Sequence, residues 1–328
     1  MAKITFRGAA YEAAHTESVL DTLLRHGVEA SHSCKKGTCQ TCMLRMLDRA
    51  PPDHAQAGLG PTLRAQGYFL SCLCAATNDL TIADPRGAEV FARAAVVSKE
   101  LVGPDICRIR LCAESPLTYR AGQFINIRRG DGLMRSYSLA SVPRADAHLE
   151  LHVRRMRHGE MSGWIIDTLA VGESVEFYGP AGACFYLPGR EDDPLLLVGT
   201  GTGLAPLVGI ARDALLSGHR GPVHLYHGSD DVSGLYLDRE LRSIEDRYAS
   251  FHYHPCVAGG QPRPCDAHGF PNVVAFAEHP LLRGWRIYLC GLPAMVTAAR
   301  RAAYLAEASL FDIYADPFEQ RDANATPR

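Results

Sequence analysis

With 328 residues, 47% of them hydrophobic and 21% charged, the chain can bury the cores of about two or three domains and is not a disordered segment. Thirty-four Lys and Arg stand against 36 Asp and Glu, a net charge of −2 with no long basic run, which excludes a nucleic-acid binder. No apolar run approaches the roughly 18 residues of a membrane span, and the opening MAKITFRGAA lacks the apolar centre of a signal peptide. The expected home is the cytoplasm, where eleven cysteines stay reduced and point to metal or redox chemistry rather than disulfides.

In chain order, Lys3–Arg7 alternates as a strand. Ser18–His26 carries Val19, Leu20, Leu23 and Leu24 on one helical face, with Thr16 or Ser18 as cap and Gly27 as stop. Ala83–Arg93 holds a proline, a glycine and charges, and reads as a linker. Residues 94–187 read as all-β: AAVVS, ICRIRLC, QFINIRR, RSYSLAS and LELHVRRM are short strands separated by Gly, Pro and Asp. From residue 194 strands and helices alternate. LLLV (195–198) precedes a helix through Ser217, and VHLYH (223–227) precedes a helix near 236–248. RIYLCG (286–291) precedes an Ala-rich helix over 294–308, and FDIYA (311–315) is a last strand. That order predicts a parallel α/β sheet.

Five cysteines fall early, at 34, 39, 42, 72 and 74. SCKKGTCQTC spaces Cys34, Cys39 and Cys42 as C-x4-C-x2-C, and Cys72 follows in GYFLSCLC. Three thiolates on one tight loop can wrap a small inorganic core that a distant fourth closes, and Gly37 gives the loop its backbone freedom. This is the plant-type ligand spacing of a [2Fe–2S] cluster. A zinc site of four cysteines would use two C-x2-C knuckles, and only one is present. A thioredoxin-like C-x-x-C would need neither Cys34 nor Cys72, and inert core thiols do not crowd one loop. Alternation turns Cys74 to the same side as Cys72, as a neighbour or substitute, with Cys72 the preferred fourth ligand.

On these cysteines, residues 1–85 resemble a plant-type ferredoxin domain, and the rest resembles the ferredoxin–NADP reductase superfamily. The layout is similar to the single-chain reductases of bacterial oxygenases, such as the benzoate dioxygenase and phenol hydroxylase reductase components. The resemblance implies a multidomain α+β and α/β fold. A β-grasp ferredoxin domain would occupy 1–85 and a linker 86–93. A six-stranded antiparallel β-barrel for FAD would occupy 94–189, and a parallel α/β NAD(P)-binding domain 190–328. Gln40 departs from the family, which has a small residue after the second cysteine. It is expected to alter hydrogen bonding to the cluster.

RSYS resembles the family's flavin strand. Arg135 would pair with the diphosphate, Tyr137 pack on the flavin, and Ser138 reach its reactive edge. HGEMSGW resembles the second flavin segment, with Gly159, Met161 and Ser162 at a helix start suited to phosphate. Read alone, R-x-Y-S is a solvated edge and RRMRH (Arg154–His158) an exposed hairpin. GTGTGLAP fails G-x-G-x-x-G at Leu204, yet resembles the superfamily's dinucleotide turn, with Gly201, Thr202, Gly203 and Pro206 facing the cofactor. CGLPAMV resembles the second nicotinamide motif, through Cys290 and Gly291, although a buried core thiol is the plain reading of Cys290. Asp230 and Asp231 follow the second strand. NADPH users of this superfamily carry an arginine there, whereas an acid accepts the ribose 2′-OH and repels a 2′-phosphate, favouring NADH. Phe318 covers the flavin or fills a core. His252 and His254 alternate on a strand, more as a solvated edge than as metal ligands.

The resemblance implies an NADH-dependent iron–sulfur flavoprotein, with Ser138 and Cys290 catalytic, that passes electrons through FAD and a [2Fe–2S] cluster. The recipient is the terminal component of an oxygenase or another electron-accepting protein. Rival readings are a deoxysugar-biosynthesis reductase and a redox sensor or interaction module. Lys35 and Lys36 predict an acidic docking face on the outside partner.

Overall fold

The computed structural model describes residues 2–86 and 90–319, so Gly87, Ala88 and Glu89 of the expected linker lie outside the described residues. The first region comprises β1 (Lys3–Phe6), β2 (Ala9–Glu12), α1 (Val19–Arg25), β3 (Met43–Met46), α2 (Pro61–Ala65), β4 (Tyr68–Leu70) and β5 (Leu80–Ala83). Its sheet runs β2-β1-β5-β3-β4, parallel only between β1 and β5. The Ser18 side chain caps α1 by accepting from the Asp21 amide at 3.0 Å, as the capping rule predicts. Val19, Leu20 and Leu23 on that helix are buried with Ile4, Phe6, Phe69 and Ile82. Val90, Phe91 and Met134 join the same core, so the first region packs directly on the second.

The second region holds β6 (Ala92–Leu101), β7 (Ile106–Ala113), β8 (Phe124–Arg128), β9 (Met134–Ser138), β10 (Leu149–Arg154) and β11 (Ser174–Ala181). These form an antiparallel sheet in the order β10-β7-β6-β11-β8-β9 around Ile109, Leu111, Ile125, Leu151 and Phe177. A bridge joins Leu139 to Leu151, bringing the two ends of that order together. A short helix, α3 (Glu160–Gly163), runs into a π-type turn over Trp164–Thr168.

The third region alternates β12 (Leu195–Thr200), α4 (Leu204–Leu216), β13 (Val223–Ser229), α5 (Asp238–Arg247), β14 (Phe251–Val257), β15 (Ala267–His268), α6 (Pro271–Glu278), β16 (Arg286–Gly291), α7 (Pro293–Leu305) and β17 (Ile313–Pro317). All pairs are parallel, in the order β15-β14-β13-β12-β16-β17. Both faces are covered, because Leu195 and Leu197 pack with α4 while Leu196 and Val198 pack with α7. The strand order reverses between β12 and β16, where parallel sheets open a ligand crevice.

Two expectations need correction. The last strand starts at Ile313, because Leu310–Asp312 form a 3-10 turn capped by Ser309. β14 pairs with β15 only at Cys256 and Val257, so His252 and His254 do lie on an open strand edge, but neither is fully solvated. Both are half-buried beside His224, whose Nδ1 lies 3.1 Å from His254 Nε2. Burial and three neighbouring imidazoles push His224 down to about 3.

Candidate functional site

The turn from Cys34 to Cys42 owes its shape to left-handed residues. Lys35, Gly37 and Gln40 all have positive φ, and a Cβ on Gly37 would stand 2.5 Å from Leu73 Cδ1. The thiols fall into two pairs. Cys34 Sγ receives the amides of Lys36 at 3.3 Å and Cys39 at 3.4 Å, while Cys42 Sγ lies 3.3 Å from Cys72 Sγ. Hydrogen bonding from the Cys39 thiol, Thr38 and those amides pulls the Cys34 thiol down to about 4 despite its burial. Cys74 does not share this face. A turn at Ser71–Leu73 ends the alternation after β4, and Cys74 is buried in the apolar core, where burial raises its thiol to about 11. Among the described residues, no three His, Cys, Asp or Glu side chains converge as a single-ion site.

The cysteine turn rests on β9. Ser31 Oγ donates to Gly132 O at 2.9 Å and accepts from Met134 N at 3.1 Å, and Ser136 Oγ is 3.4 Å from the Cys39 carbonyl. Arg135, Tyr137 and Ser138 line a cleft of about 2430 Å³ that Cys34 and Cys39 also reach. Gly159, Met161 and Ser162 line the same cleft. Gly159 is required for space, since its Cβ would meet Ser162 Oγ at 2.5 Å and Met156 Cβ at 2.6 Å. The Ser162 hydroxyl is already engaged, 3.1 Å from both Gly159 O and Met156 N.

The opposite wall is made where β12 and β16 part. A Cβ on Gly203 would lie 2.3 Å from the Cys290 carbonyl, and one on Gly291 2.6 Å from Thr200 Oγ1. Only glycine lets these two turns interlock. Thr200, Gly201, Thr202 and Gly291 line the cleft, whereas Gly203 is the point of contact and Pro206 is buried within α4. Cys290 is also buried behind the wall, its Sγ 3.7 Å from Cys184 Sγ. Asp230 lines the cleft. Asp231 lines it too, and also caps the following turn, accepting from the amides of Ser233 at 2.9 Å and Gly234 at 3.2 Å.

After β17 the chain crosses the cleft. Phe318 lines it and donates its amide to Gly291 O at 2.7 Å. Glu319 then reaches the cysteine turn, where its carbonyl accepts from Ser33 Oγ at 2.8 Å and its carboxylate pairs with Lys36 at 2.5 Å. Lys35 pairs with Asp21 at 2.8 Å. Both lysines are exposed and have intramolecular partners as well. Asp316, passed over in the sequence, stands beside Ser138 with Oδ2 3.4 Å from its hydroxyl, and burial raises its carboxyl to about 7. The available signal was its place at the carboxyl end of a sheet strand.

Three domain families match in sequence: the 2Fe-2S iron-sulfur cluster binding domain over residues 4–77, the oxidoreductase FAD-binding domain over 93–186 and the oxidoreductase NAD-binding domain over 197–301. The reductase subunit of an aromatic O-demethylase from Amycolatopsis sp. is 38% identical over 299 residues, covering 87% of this chain and 89% of that protein. The chain belongs to the single-chain iron–sulfur flavoprotein reductases. The ferredoxin–NAD(P)(+) reductase component of a Ralstonia naphthalene 1,2-dioxygenase/salicylate 5-hydroxylase system is 34% identical, over 86% of this chain and 87% of that one. The crystal structure of the Amycolatopsis cytochrome P450 reductase GcoB superposes with a TM-score of 0.69 at 34% identity, covering 97% of this chain and 99% of that chain. The chain is an oxidoreductase with [2Fe–2S], FAD and NADH as cofactors.

The residues fit those cofactors. Two thiol pairs suit a cluster of two irons, each taking two thiolates, better than one ion ringed by four. Among the described residues no helix is long and apolar enough to cross a membrane.

Proposed function

We propose that this reductase draws electrons from NADH and delivers them to the terminal component of an oxygenase. The observation that carries the reading is the single cleft lined by the cysteine turn, the RSYS strand and the β12–β16 crevice. FAD held there would supply the conversion of the two-electron hydride from NADH, which would leave as NAD+, into the single electrons that a one-electron cluster requires.

Cys34 with Cys39 and Cys42 with Cys72 hold the two irons. Arg135 and the Gly159–Ser162 segment hold the flavin diphosphate, Met161 and Tyr137 flank the flavin, and Ser138 with Asp316 handles the proton at its edge. Gly201, Thr202, Gly203 and Gly291 open the wall to the dinucleotide, with Pro206 and Cys290 supporting it from behind. Phe318 would cover the flavin, and Asp230 would accept a hydrogen bond from the ribose 2′-OH, favouring NADH. The modules span 1–85, 94–189 and 190–328. The first is a β-grasp, and the Leu139–Leu151 bridge supports closure of the second into a barrel. Eleven free cysteines, including the unbonded pair Cys184 and Cys290, agree with a reducing cytoplasm.

The test is purification followed by steady-state assay. The protein should be red-brown with one FAD and about two irons per chain, and should couple NADH oxidation to cytochrome c reduction. A colourless zinc protein overturns the reading. If cytochrome c is reduced but the genomically neighbouring oxygenase is not, the electron path stands and the partner assignment fails.

A further inference from the structure

Gln40 occupies an expensive position. It is a non-glycine residue at φ +60°, between the cysteine pairs, and is 4% exposed. Glycine would adopt that backbone without strain, so the side chain must return something for being there. Its Nε2 donates to Gly58 O at 2.9 Å and its Oε1 accepts from Tyr178 OH at 2.8 Å. The amide orientation follows from the partners, because a carbonyl can only accept and thereby leaves Oε1 for the phenol. Gly58 belongs to the first region, whereas Tyr178 lies on β11 of the second. Tyr178 also packs against the apolar core of the first region. The same β-sheet touches the cysteine turn through Ser136, 3.4 Å from the carbonyl of Cys39.

We propose that Gln40 is a positioning residue for internal electron transfer: with Tyr178 it fixes the cluster-bearing turn against the flavin sheet. The proposal rests on the assignment of the cluster to Cys34, Cys39, Cys42 and Cys72. The Gln40 amide bonds inside its own domain through Nε2 and across the domain boundary through Oε1. It therefore sets the approach of the turn to the flavin, a role separate from the hydrogen bonding to the cluster that the sequence suggested. Transfer between two fixed centres falls steeply with displacement, as any positioned reaction does.

The test compares Gln40→Gly, Tyr178→Phe and the double variant in the full-length holoprotein. Gln40→Gly keeps the backbone in a conformation glycine favours, so loss of folding is not the expected result. Iron content and visible absorbance are measured first. Absence of iron from the wild-type protein would refute the cluster assignment, and this proposal with it. With clusters present, stopped-flow bleaching of the cluster after NADH mixing should slow on the order of tenfold in each single variant. The double variant should be no slower than the slower single one, since both remove one bond. NADH–ferricyanide turnover reports the flavin and nicotinamide halves separately. Potentiometric titration separates position from tuning, because Tyr178→Phe should leave the cluster potential unchanged while slowing transfer. Wild-type transfer rates in both single variants overturn the proposal, as does slowing that tracks a shifted potential.

Discussion

The cysteine turn and the dinucleotide turn do similar work by opposite means. The first offers side chains: four thiols in two pairs, three of them on a loop bent by left-handed residues and the fourth, Cys72, just after β4. The second makes its site by omission, since Gly199, Gly203 and Gly291 let backbone approach where any Cβ would collide. A site built from rare side chains at fixed spacing announces itself in a sequence. A site built from missing side chains is recognised only by what surrounds it.

The largest expected effect lies on the thiol side. Cys72→Ser should lose the cluster's absorption and cytochrome c reduction entirely while retaining NADH–ferricyanide activity, whereas Cys74→Ser should retain both. If the two variants exchange these outcomes, the core position of Cys74 does not decide its role.

Gly203→Ala should do the reverse. A Cβ 2.3 Å from the Cys290 carbonyl forces the turns apart, costing about 1–3 kcal/mol of stability in overpacking. NADH turnover should collapse with either acceptor while the cluster spectrum survives, as activity and absorbance on one sample will tell. An alanine variant that turns over normally would show the crevice to be more yielding than its contacts imply.

Asp230 and Asp231 sharpen the contrast at one residue's remove. Asp230→Ala should narrow the ratio of kcat/KM values for NADH over NADPH by about tenfold, a transition-state difference of roughly 1.4 kcal/mol. Asp231→Ala should leave that ratio alone and lower stability by about 1 kcal/mol as a lost cap. Equal ratios in the two variants would place the ribose elsewhere.

Asp316 gives a signed effect. Its carboxyl is raised to about 7 by burial, so the folded chain holds a proton that the unfolded chain, with its ordinary carboxylate, releases from about pH 4. Folding stability from this group is therefore present at low pH and lost as pH rises toward 7. Asp316→Asn, which never ionises, should gain in melting temperature over the parent between pH 4 and 7 and keep the gain above. Melts in parallel across that range check it; a constant difference would mean that the carboxyl is not buried. Flavin reduction should change across pH 7 in the parent and be flat in the variant.

Most of the architecture was legible because periodicity changes where the chemistry changes. Alternating runs gave the antiparallel sheet, continuous apolar runs such as LLLV gave the doubly covered parallel one, and Ser18 and Gly27 bounded α1 as capping requires. What escaped was set by contacts between distant segments. Cys74 was assigned to the wrong face because a turn interrupts the alternation. His252 and His254 were read as solvated because nothing local says that His224 of β13 packs against them. Asp316, Tyr178 and Glu319 carry no motif, and their partners lie at positions 138, 40 and 33. Lys35 and Lys36 are outward-facing as read, but their pairing with Asp21 and Glu319 was not legible.

Glu319 ends on Ser33 and Lys36, so the tail of the third domain is fastened to the head of the first. These reductases are therefore poorly described as beads on a string. A chimera that exchanges the ferredoxin segment of this chain for a relative's would cut at a single visible seam near residue 86 and sever a second, hidden one near residue 319. Grafts that carry the donor's last residues together with its ferredoxin should couple better than grafts that carry the ferredoxin alone, and the useful unit of exchange is discontinuous in sequence.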